Sequence, residues 1–529
     1  MNEQSALLRV ENLSVRRQNL ARPAIDDISF AVEQGGTLTL LGEAGSGKEA
    51  VLRFLAGASE REESGSAAIT LRDGSKRTMT QRDVVGLRTT FLPGPHALSL
   101  NAQASVLSQL SLVVARKLRQ PQSSAATEIE LALKRLPNSP ALEALDRPPS
   151  QLSSEMLAAA LLAAALAQAP ELLLADDPLS ALSPSQARRF ASAIQAEQKR
   201  SGFALLYAAG NAEAVTLLGS NLIVLRNGHV VEEGPASRLA TTQSHAYTQA
   251  LFHATSVSNK MPVSRSGPRG EPLLQVQNLR LPSQSKARES LTFELRRGSS
   301  LALLGEQGSG RHALVRVLIG LDKPASGRIV FDQVDIGILS DAMMSRLRRR
   351  VAFITGQDDA LDPRMTIFDT VEEPLRAHIS MPRDQVARNR DAALKRVGLA
   401  ALPGNRPVAG LSRFDLRRLQ IARAIVGAPH LAVIDEPLRG LDGFAQSVLR
   451  DLLHSFRANE RPAFLVITSD FGLAQGFCED VFVFRDGRVV ERGAISAMLR
   501  EPQDSHTKKL IDAVAAAPPS GLPPEPVGG

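Results

Sequence analysis

Tryptophan is absent from this 529-residue chain, which contains only two tyrosines and one cysteine. Aromatic residues make up 4% of the sequence, which disfavours the stacking surfaces that bind single-stranded nucleic acid. The lone cysteine, Cys478, excludes a disulfide framework and a cysteine-ligated iron–sulfur cluster. Because Cys478 lies in the apolar segment GFCEDVFVF, we predict a buried structural thiol.

Long apolar runs are also absent. None approaches the roughly 20 residues of a membrane-spanning helix, and the N-terminal MNEQSALLRV lacks the basic-then-apolar pattern of a secretory signal. The content of hydrophobic residues (43%) and of charged residues (22%) is typical of a soluble globular protein. We therefore expect a cytoplasmic protein that reaches the inner face of the cell membrane only by docking.

The length of the chain limits the possible number of domains, and its charge limits the possible partners. A chain of 529 residues is too long for one hydrophobic core, which predicts two domains. The net charge is +7 and the isoelectric point is near 9.8. Lysine and arginine are nevertheless dispersed along the chain, so no nucleic-acid partner is expected.

Two copies of one unit follow each other along the sequence. Residues 7–15, LLRVENLSV, and 273–281, LLQVQNLRL, open the copies. A spacing of about 260 residues indicates duplication of a whole domain and not a short repeat. The segment between the copies is rich in Ser, Pro, Gly and Arg and predicts a flexible linker. The predicted organisation is a first domain at 1–255, a linker at 256–272, a second domain at 273–513 and a disordered tail at 514–529.

Each copy contains a glycine-rich loop between an apolar strand and a helical stretch. Such a loop points backbone N–H groups at phosphate, and a lysine at its end reaches the β- and γ-phosphates. In the first loop the candidate ligands are Gly42, Gly45, Ser46, Gly47, Lys48 and Glu49. Glu49 replaces the hydroxyl residue that normally binds Mg²⁺, and its carboxylate is itself a possible Mg²⁺ ligand. We predict ATP binding here, with an empty structural turn as the alternative.

The second loop departs further from this pattern. Its candidate ligands are Gly305, Gly308, Ser309, Gly310, Arg311 and His312. Arg311 stands where the lysine is expected, and His312 where the hydroxyl is expected. A guanidinium is a planar fork and not a compact charge, so it does not simply replace lysine in a tight loop. Nucleotide binding and an empty loop are equal alternatives for this copy.

One apolar strand in each copy ends in acids, in the segments ELLLADD and HLAVIDE. A buried parallel strand is apolar throughout and presents such acids at its carboxyl end. Asp176 and Asp435 are predicted to hold Mg²⁺ through water. Glu436 is predicted to be the general base for the attacking water, and Asp177 is its shorter counterpart.

The alternation of apolar strands with helical stretches completes the fold prediction. It indicates an α/β fold of two tandem P-loop NTPase domains, each with a mostly parallel sheet at its core. A helical subdomain is predicted near residues 100–165 and 365–425.

These motifs resemble those of ATP-binding-cassette (ABC) ATPases, and most of all the subunits of oligopeptide, dipeptide and nickel importers. The stretch from Gln151 to Ser183 has the order of that family's LSGGE turn, helix, Asp-Glu strand end and SALD segment. SHAYTQALF at 244–252 is similar to the subfamily's H-x-Y-T-x-x-L tail, and SHTKKLIDA at 505–513 is a weaker version. ALDPRM at 360–365 resembles the subfamily's SLNPR segment.

The resemblance implies that Ser153 and Ser412 open signature turns, each closing over the nucleotide held by the other copy. Ser154-Glu155 and Arg413-Phe414 replace the glycine pairs that follow. Glu155 is expected to repel phosphate and Arg413 to attract it, while ordinary helix N-caps are the alternative for both turns. Further family ligands are replaced or displaced at Pro93, Thr355 (with Gln357 two residues on), Ser183, Gly210 and Ser469.

ATP and Mg²⁺ are the cofactors that the resemblance implies. It also implies docking under two transmembrane permease subunits, with a substrate-binding protein that delivers a peptide-like substrate or nickel. The better loop lysine, Lys48, and the better base, Glu436, fall in different composite sites, so slow hydrolysis is expected. The alternative is a non-hydrolysing assembly or regulatory protein of the same fold.

Overall fold

The fold is described from a computed structural model of the chain. The described residues are 6–17, 23–58, 63–80, 85–94, 100–136, 142–180, 182–219, 221–256, 270–281, 290–306, 308–357, 360–378 and 381–515. Most of the predicted linker and most of the predicted C-terminal tail lie outside them. The first two tail positions, Val514 and Ala515, are instead the end of a helix that begins at Ser505.

The described residues divide into two units, the first within Met1–Ser256 with Asp442–Phe444 and the second within Val257–Leu441 with Ala445–Ala515. The domain boundaries given above stay predictions. None of the described helices is both long and apolar enough to cross a membrane. Cys478 is fully buried, and burial raises the pKa of its thiol, as a structural role predicts.

Ten strands and eight helices of the first unit are described. The strands are β1 (Ala6–Arg17), β2 (Ile25–Glu33), β3 (Thr37–Leu41), β4 (Glu63–Leu71), β5 (Lys76–Thr80), β6 (Thr89–Leu92), β7 (Leu172–Asp176), β8 (Ala204–Ala209), β9 (Asn221–Arg226) and β10 (His229–Pro235). The helices are α1 (Lys48–Leu55), α2 (Val106–Leu118), α3 (Gln122–Leu133), α4 (Ser154–Leu166), α5 (Pro184–Ser201), α6 (Ala212–Leu218), α7 (Ala236–Thr241) and α8 (Ala246–Ser256).

The second unit has a closely similar order of elements in the part that the structure describes. Its strands are β11 (Pro272–Arg280), β12 (Leu291–Arg296), β13 (Ser300–Leu304), β14 (Ser326–Phe331), β15 (Val334–Asp335), β16 (Val351–Thr355), β17 (Leu431–Asp435), β18 (Ala463–Thr468), β19 (Asp480–Arg485) and β20 (Arg488–Ala494). Its helices are α9 (Arg311–Leu318), α10 (Asp341–Arg348), α11 (Ile367–His378), α12 (Arg383–Arg396), α13 (Arg413–Val426), α14 (Gly443–Glu460), α15 (Phe471–Phe477), α16 (Ile495–Met498) and α17 (Ser505–Ala515).

The central sheet of each unit is mostly parallel, as predicted. Its order is β6-β7-β8-β3-β9-β10 in the first unit and β16-β17-β18-β13-β19-β20 in the second. Only the last strand of each sheet runs antiparallel to its neighbour. The four apolar residues of β7, Leu172 to Ala175, are all buried, which explains their uninterrupted apolar run. The predicted fold class is confirmed.

Each unit also contains a four-stranded antiparallel sheet that was not predicted, in the orders β2-β1-β4-β5 and β12-β11-β14-β15. Along β2, buried and more exposed positions alternate for most of its length. That pattern is typical of a sheet with one face on the core. The helical subdomains consist of α2–α4 and α11–α13, as predicted. In α4 every residue from Leu157 to Leu166 is buried, which accounts for its run of alanine and leucine.

Candidate functional site

The strand order brings the glycine-rich loops to the acids. In the first unit β8 lies between β3, which precedes the loop, and β7, which ends in acids. The backbone N–H of Gly42 donates to Ala209 O at 3.2 Å, and that of Asp177 donates to Ala208 O at 3.0 Å. In the second unit Gly305 donates to Thr468 O at 3.2 Å and Glu436 to Ile467 O at 2.9 Å. Both candidate sites are therefore anchored on the carboxyl end of a central strand.

The first loop has the geometry of a phosphate cradle. Gly45 and Gly47 have left-handed backbones, with φ of 82° and 105°. A Cβ on Gly42 would lie 2.5 Å from both Ser46 Oγ and Leu225 O, so a side chain is excluded there. Ser46 Oγ is buried and has no hydrogen-bond partner among the described residues. An unsatisfied buried hydroxyl in such a cradle fits a missing polar ligand, and the loop fits a polyphosphate.

Lys48 lies beneath this loop and is only 4% exposed. Its Nζ donates to Glu43 O at 3.1 Å and is 3.7 Å from Glu49 Oε1. The ammonium is thus held by groups of its own loop. Glu49, the possible Mg²⁺ ligand, is half exposed and partly neutralises Lys48.

Asp176 lies close enough to Lys48 and Glu49 for their charges to act on it. Burial, followed by the charges of Glu49 and Asp177, raises the pKa of Asp176 to about 6. Proteins usually bind Mg²⁺ with one or two carboxylates, leaving the other positions to water and phosphate. The pair of Asp176 and Glu49 fits that requirement, since Mg²⁺ needs no larger cluster of acids.

Asp177 is turned into the sheet. Tyr207 Oη donates to its Oδ1 at 3.0 Å, and the N–H of Gly210 donates to its Oδ2 at 3.1 Å. Burial raises the pKa of Asp177, although these two donors oppose the rise. Both carboxylate oxygens therefore have structural partners, although the residue was predicted to be catalytic.

The second loop repeats the backbone of the first. Gly308 and Gly310 have φ of 85° and 92°, and a Cβ on Gly305 would lie 2.7 Å from Ser309 Oγ. Ser309 Oγ, like Ser46 Oγ, is buried without a partner in the described part of the chain. At these described positions the two loops therefore share their backbone geometry, while their side chains differ.

Arg311 is 2% exposed and pairs with the predicted base. Its Nη2 donates to Glu436 Oε1 at 2.6 Å, and its Nη1 donates to Thr468 O at 3.4 Å. Glu436 also accepts from the N–H of Ser469 at 2.8 Å. Burial raises the pKa of Glu436, while Arg311 and Ser469 counteract the rise. Since arginine remains protonated in proteins, the base is neutralised by a permanent cation.

His312 pairs with the other predicted acid of this unit. Its Nε2 lies 3.0 Å from Asp435 Oδ1. The carboxylate that was predicted to hold Mg²⁺ therefore has an imidazole as its partner. The role of Asp435 in holding Mg²⁺ stays a prediction, and it would require His312 to give up this contact.

The two signature serines are helix N-caps. Ser153 Oγ accepts from Met156 N at 3.2 Å at the start of α4, and Ser412 Oγ accepts from Asp415 N at 3.1 Å at the start of α13. This geometry matches the alternative interpretation of these turns. Their predicted role in nucleotide binding stays a prediction.

The charge of Glu155 is neutralised within its own unit, contrary to the simple repulsion expected from the sequence. Arg189 donates to Glu155 Oε1 from Nη2 at 2.9 Å and from Nε at 3.2 Å. Gln186 Nε2 donates to Oε2 at 3.1 Å. Because an arginine fork and an amide surround this carboxylate, much of its repulsion for phosphate is offset.

Two side chains make contacts that the sequence did not predict. Tyr247, in the tail motif at 244–252, accepts a hydrogen bond from the backbone N–H of Glu43 at 3.1 Å. Arg417, on α13, is fully buried. It donates to the carbonyl oxygens of Gly356 and Gln357, in the segment predicted to hold the displaced glutamine. The tail motif at 244–252 already included Tyr247, although not its contact, whereas no local pattern marked Arg417.

The second tail matches the first in a different register from the predicted one. Glu232 accepts from the backbone N–H groups of residues 244 and 245, at 2.9 and 3.3 Å. Glu491 accepts in the same way from residues 503 and 504, at 2.9 and 3.1 Å. The second tail motif therefore begins two residues earlier than its sequence suggested.

Comparison with known proteins gives one family. The model of the ABC transporter family matches residues 25–180 and 289–439. An uncharacterized ABC transporter ATP-binding protein of Escherichia coli (strain K12), YejF, is 29% identical over 96% of this chain and 99% of its own length. The glutathione import ATP-binding protein GsiA of the same strain is 29% identical over 98% of this chain and 91% of its own.

Two solved structures are also similar. CbiO1 of Clostridium perfringens, part of an ABC transporter complex, is 28% identical, with a TM-score of 0.40, and covers 44% of this chain and 92% of its own. The ATP-binding cassette MJ0796 is 23% identical, with a TM-score of 0.38, and covers 42% of this chain and 98% of its own.

Proposed function

This chain belongs to the ABC transporter family, and from that premise we propose that it is the ATP-binding subunit of an importer for a peptide-like substrate, with impaired hydrolysis. The family match covers both halves, so the resemblance inferred from the motifs is confirmed. ATP and Mg²⁺ are the cofactors of the family, as expected.

The transport part of the proposal is supported by the likeness to GsiA, a glutathione import ATP-binding protein that matches 98% of this chain. Glutathione is a small peptide, which favours a peptide-like substrate over nickel. The proposed partners are two transmembrane permease subunits and a substrate-binding protein. The proposed location is the cytoplasmic face of the membrane, against those permeases.

In the first unit, the loop N–H groups and Lys48 are proposed to hold the polyphosphate. Lys48 then exchanges Glu43 O and Glu49 for phosphate oxygens, which are stronger partners than a carbonyl. Asp176 and Glu49 are the residues that would hold Mg²⁺, which neutralises phosphate charge when bound. Asp177 contributes little as a base, because Tyr207 and Gly210 occupy both of its oxygens.

In the second unit, Glu436 has the length of a catalytic base but is paired. A general base must be ionised and must reach the proton of the attacking water. Here the carboxylate lies against Arg311 at 2.6 Å, so one of its two oxygens is held by a cation instead of an attacking water. This contact is the single observation that carries the proposal of slow hydrolysis.

The decisive experiment is an ATPase assay of the full chain, alone and with its permeases in membranes. We expect turnover below about 1 s⁻¹, the lower end of the range of ordinary enzymes. Lys48→Ala should abolish nucleotide binding at the first unit, and Glu436→Gln should remove the residual hydrolysis. Turnover well above that limit in the unmodified chain would refute the impaired-hydrolysis part and leave the importer part standing.

The same contact favours a second candidate, a non-hydrolysing assembly or regulatory protein. An arginine that neutralises the base is compatible with a cassette kept for binding alone. The two candidates differ in transport measured with permeases and binding protein in vesicles. Glu436→Gln should stop uptake by an importer that depends on hydrolysis, and should change nothing if the chain only binds.

A further inference from the structure

The tail helix of the first unit reaches the phosphate loop through one side chain. Tyr247 lies on α8 and is 8% exposed. Its hydroxyl accepts the backbone N–H of Glu43, in the loop, at 3.1 Å. These residues are far apart in the sequence, so the contact depends on how the tail packs.

The backbone N–H and the backbone carbonyl of Glu43 each have a side-chain partner. Tyr247 binds the N–H, and Lys48 Nζ donates to the carbonyl oxygen at 3.1 Å. When phosphate draws Lys48 away, the tyrosine hydroxyl still restrains the backbone of Glu43. A loop that keeps its shape binds more tightly, because less conformational freedom is lost on binding.

The phenol itself is fixed by several contacts. His245 Nδ1 accepts the backbone N–H of Tyr247 at 3.1 Å, and Glu232 holds the start of the tail from β10. The guanidinium of Arg226 lies 4.8 Å from the centre of the tyrosine ring, within the range of a cation–π contact. Leu251, one helical turn further on, is buried. The hydroxyl is therefore preorganised and not merely nearby.

We propose that Tyr247 is a positioning residue for nucleotide binding by the first unit, and that the tail helix acts on the phosphate loop through its hydroxyl. The inference rests on the proposed function, since it assumes that the first loop binds nucleotide. In the second unit the tail register places His506 at the equivalent position. An imidazole lacks the phenolic hydroxyl and is shorter than a phenol. The tail helix of the second unit therefore does not act on its loop in the way that α8 acts on the first loop.

The test is isothermal titration of the full chain with MgADP and MgATP. Tyr247→Phe keeps the ring and removes only the hydroxyl. We expect the first-site dissociation constant, identified as the component that Lys48→Ala removes, to rise about 2- to 12-fold, the effect of one ordinary hydrogen bond. The unfolding temperature without nucleotide should fall by no more than about 4 °C.

Two controls separate positioning from general stability. Thr216→Val removes a hydroxyl that donates only to Glu213 O within α6, and it should leave the dissociation constant unchanged. Leu251→Ala loosens the tail, and in the Tyr247→Phe background it should cost no further affinity, because the hydroxyl through which the tail acts is already gone. If Leu251→Ala weakens binding as much in that background as in the parent, or if Tyr247→Phe binds within twofold of the parent, the inference is overturned. Absence of any binding that depends on Lys48 would overturn this inference and the proposed function together.

Discussion

Arg311 and Glu436, separated by 125 positions in the sequence, meet at 2.6 Å in the second unit. The arginine replaces the loop lysine, and the glutamate stands where the family's base is expected. Because the two are partners, the substitution in the loop also alters the acid on the neighbouring strand. The altered phosphate loop and the paired catalytic acid of this unit are therefore one coupled change and not two independent ones. Together they account for the slow hydrolysis proposed for this unit.

A buried pair should be costly to break from one side. Arg311→Met leaves Glu436 buried without its cation, so we expect the free energy of unfolding of the second unit to fall by about 3–5 kcal/mol. Chemical denaturation of the full chain, followed as two transitions, measures the change. Arg316→Met is the matched control, because Arg316 pairs with Asp322 at an exposed position and its loss should have little effect. Equal effects of the two substitutions would contradict the pairing.

The two loops should differ in nucleotide affinity. Lys48→Ala removes a compact cation from a loop that fits polyphosphate, and we expect the MgATP affinity of the first unit to fall by well over about tenfold, to the point where its binding is no longer detected. Arg311→Ala should reduce it less, because that guanidinium is already bound to Glu436. Equilibrium titration of both variants gives the comparison. A larger loss from Arg311→Ala would reverse the assignment of the better site.

Rebuilding the second loop should restore hydrolysis better than lengthening the acid of the first. Arg311→Lys with His312→Ser releases both Glu436 and Asp435 and supplies the missing hydroxyl. We expect turnover to rise about tenfold or more. Initial ATPase rates of the purified chain measure it.

Two further variants test whether this gain in turnover depends on Glu436. Adding Glu436→Gln to the rebuilt loop should remove the gain. Asp177→Glu alone should gain little, since Gly210 and Pro93 leave the first site without other family ligands. If Asp177→Glu restores more activity than the rebuilt loop, the role assigned to Glu436 is wrong.

The hydroxyl of Tyr207 should stabilise the first unit through Asp177. Tyr207→Phe leaves one oxygen of a buried carboxylate without its donor, and we expect a loss of about 1–3 kcal/mol in unfolding free energy. In the background Asp177→Ala the same change should be nearly neutral, because the partner is already gone. Thermal denaturation of the four proteins completes the cycle, and additive losses would disprove the interaction.

The loops and acids were predictable because each depends on a local pattern. Glycines at fixed spacing and an apolar run that ends in acids describe one strand and the turn after it. A parallel sheet then brings such ends to one edge without further information. Gly42 and Asp177 accordingly meet neighbouring residues of β8.

Pairings between distant side chains were not predictable. His312 and Asp435 are 123 positions apart, and Glu43 and Tyr247 are 204 apart. The sequence marked Arg311 and His312 as substitutions, but their partners depend on packing, which no periodicity records. The antiparallel sheets were missed for a related reason: short alternating strands such as β5 carry a weak signal on their own.

The scarcity of aromatic residues has an optical consequence. With no tryptophan and two tyrosines in the chain, the fluorescence excited in the tyrosine absorption band comes from two phenol rings. The hydroxyl of one ring donates to Asp177, and that of the other accepts from the first phosphate loop. This tyrosine emission from the unlabelled protein therefore reports on the first unit. A ligand that enters the first loop would change this emission directly. Events confined to the second unit would leave the emission unchanged.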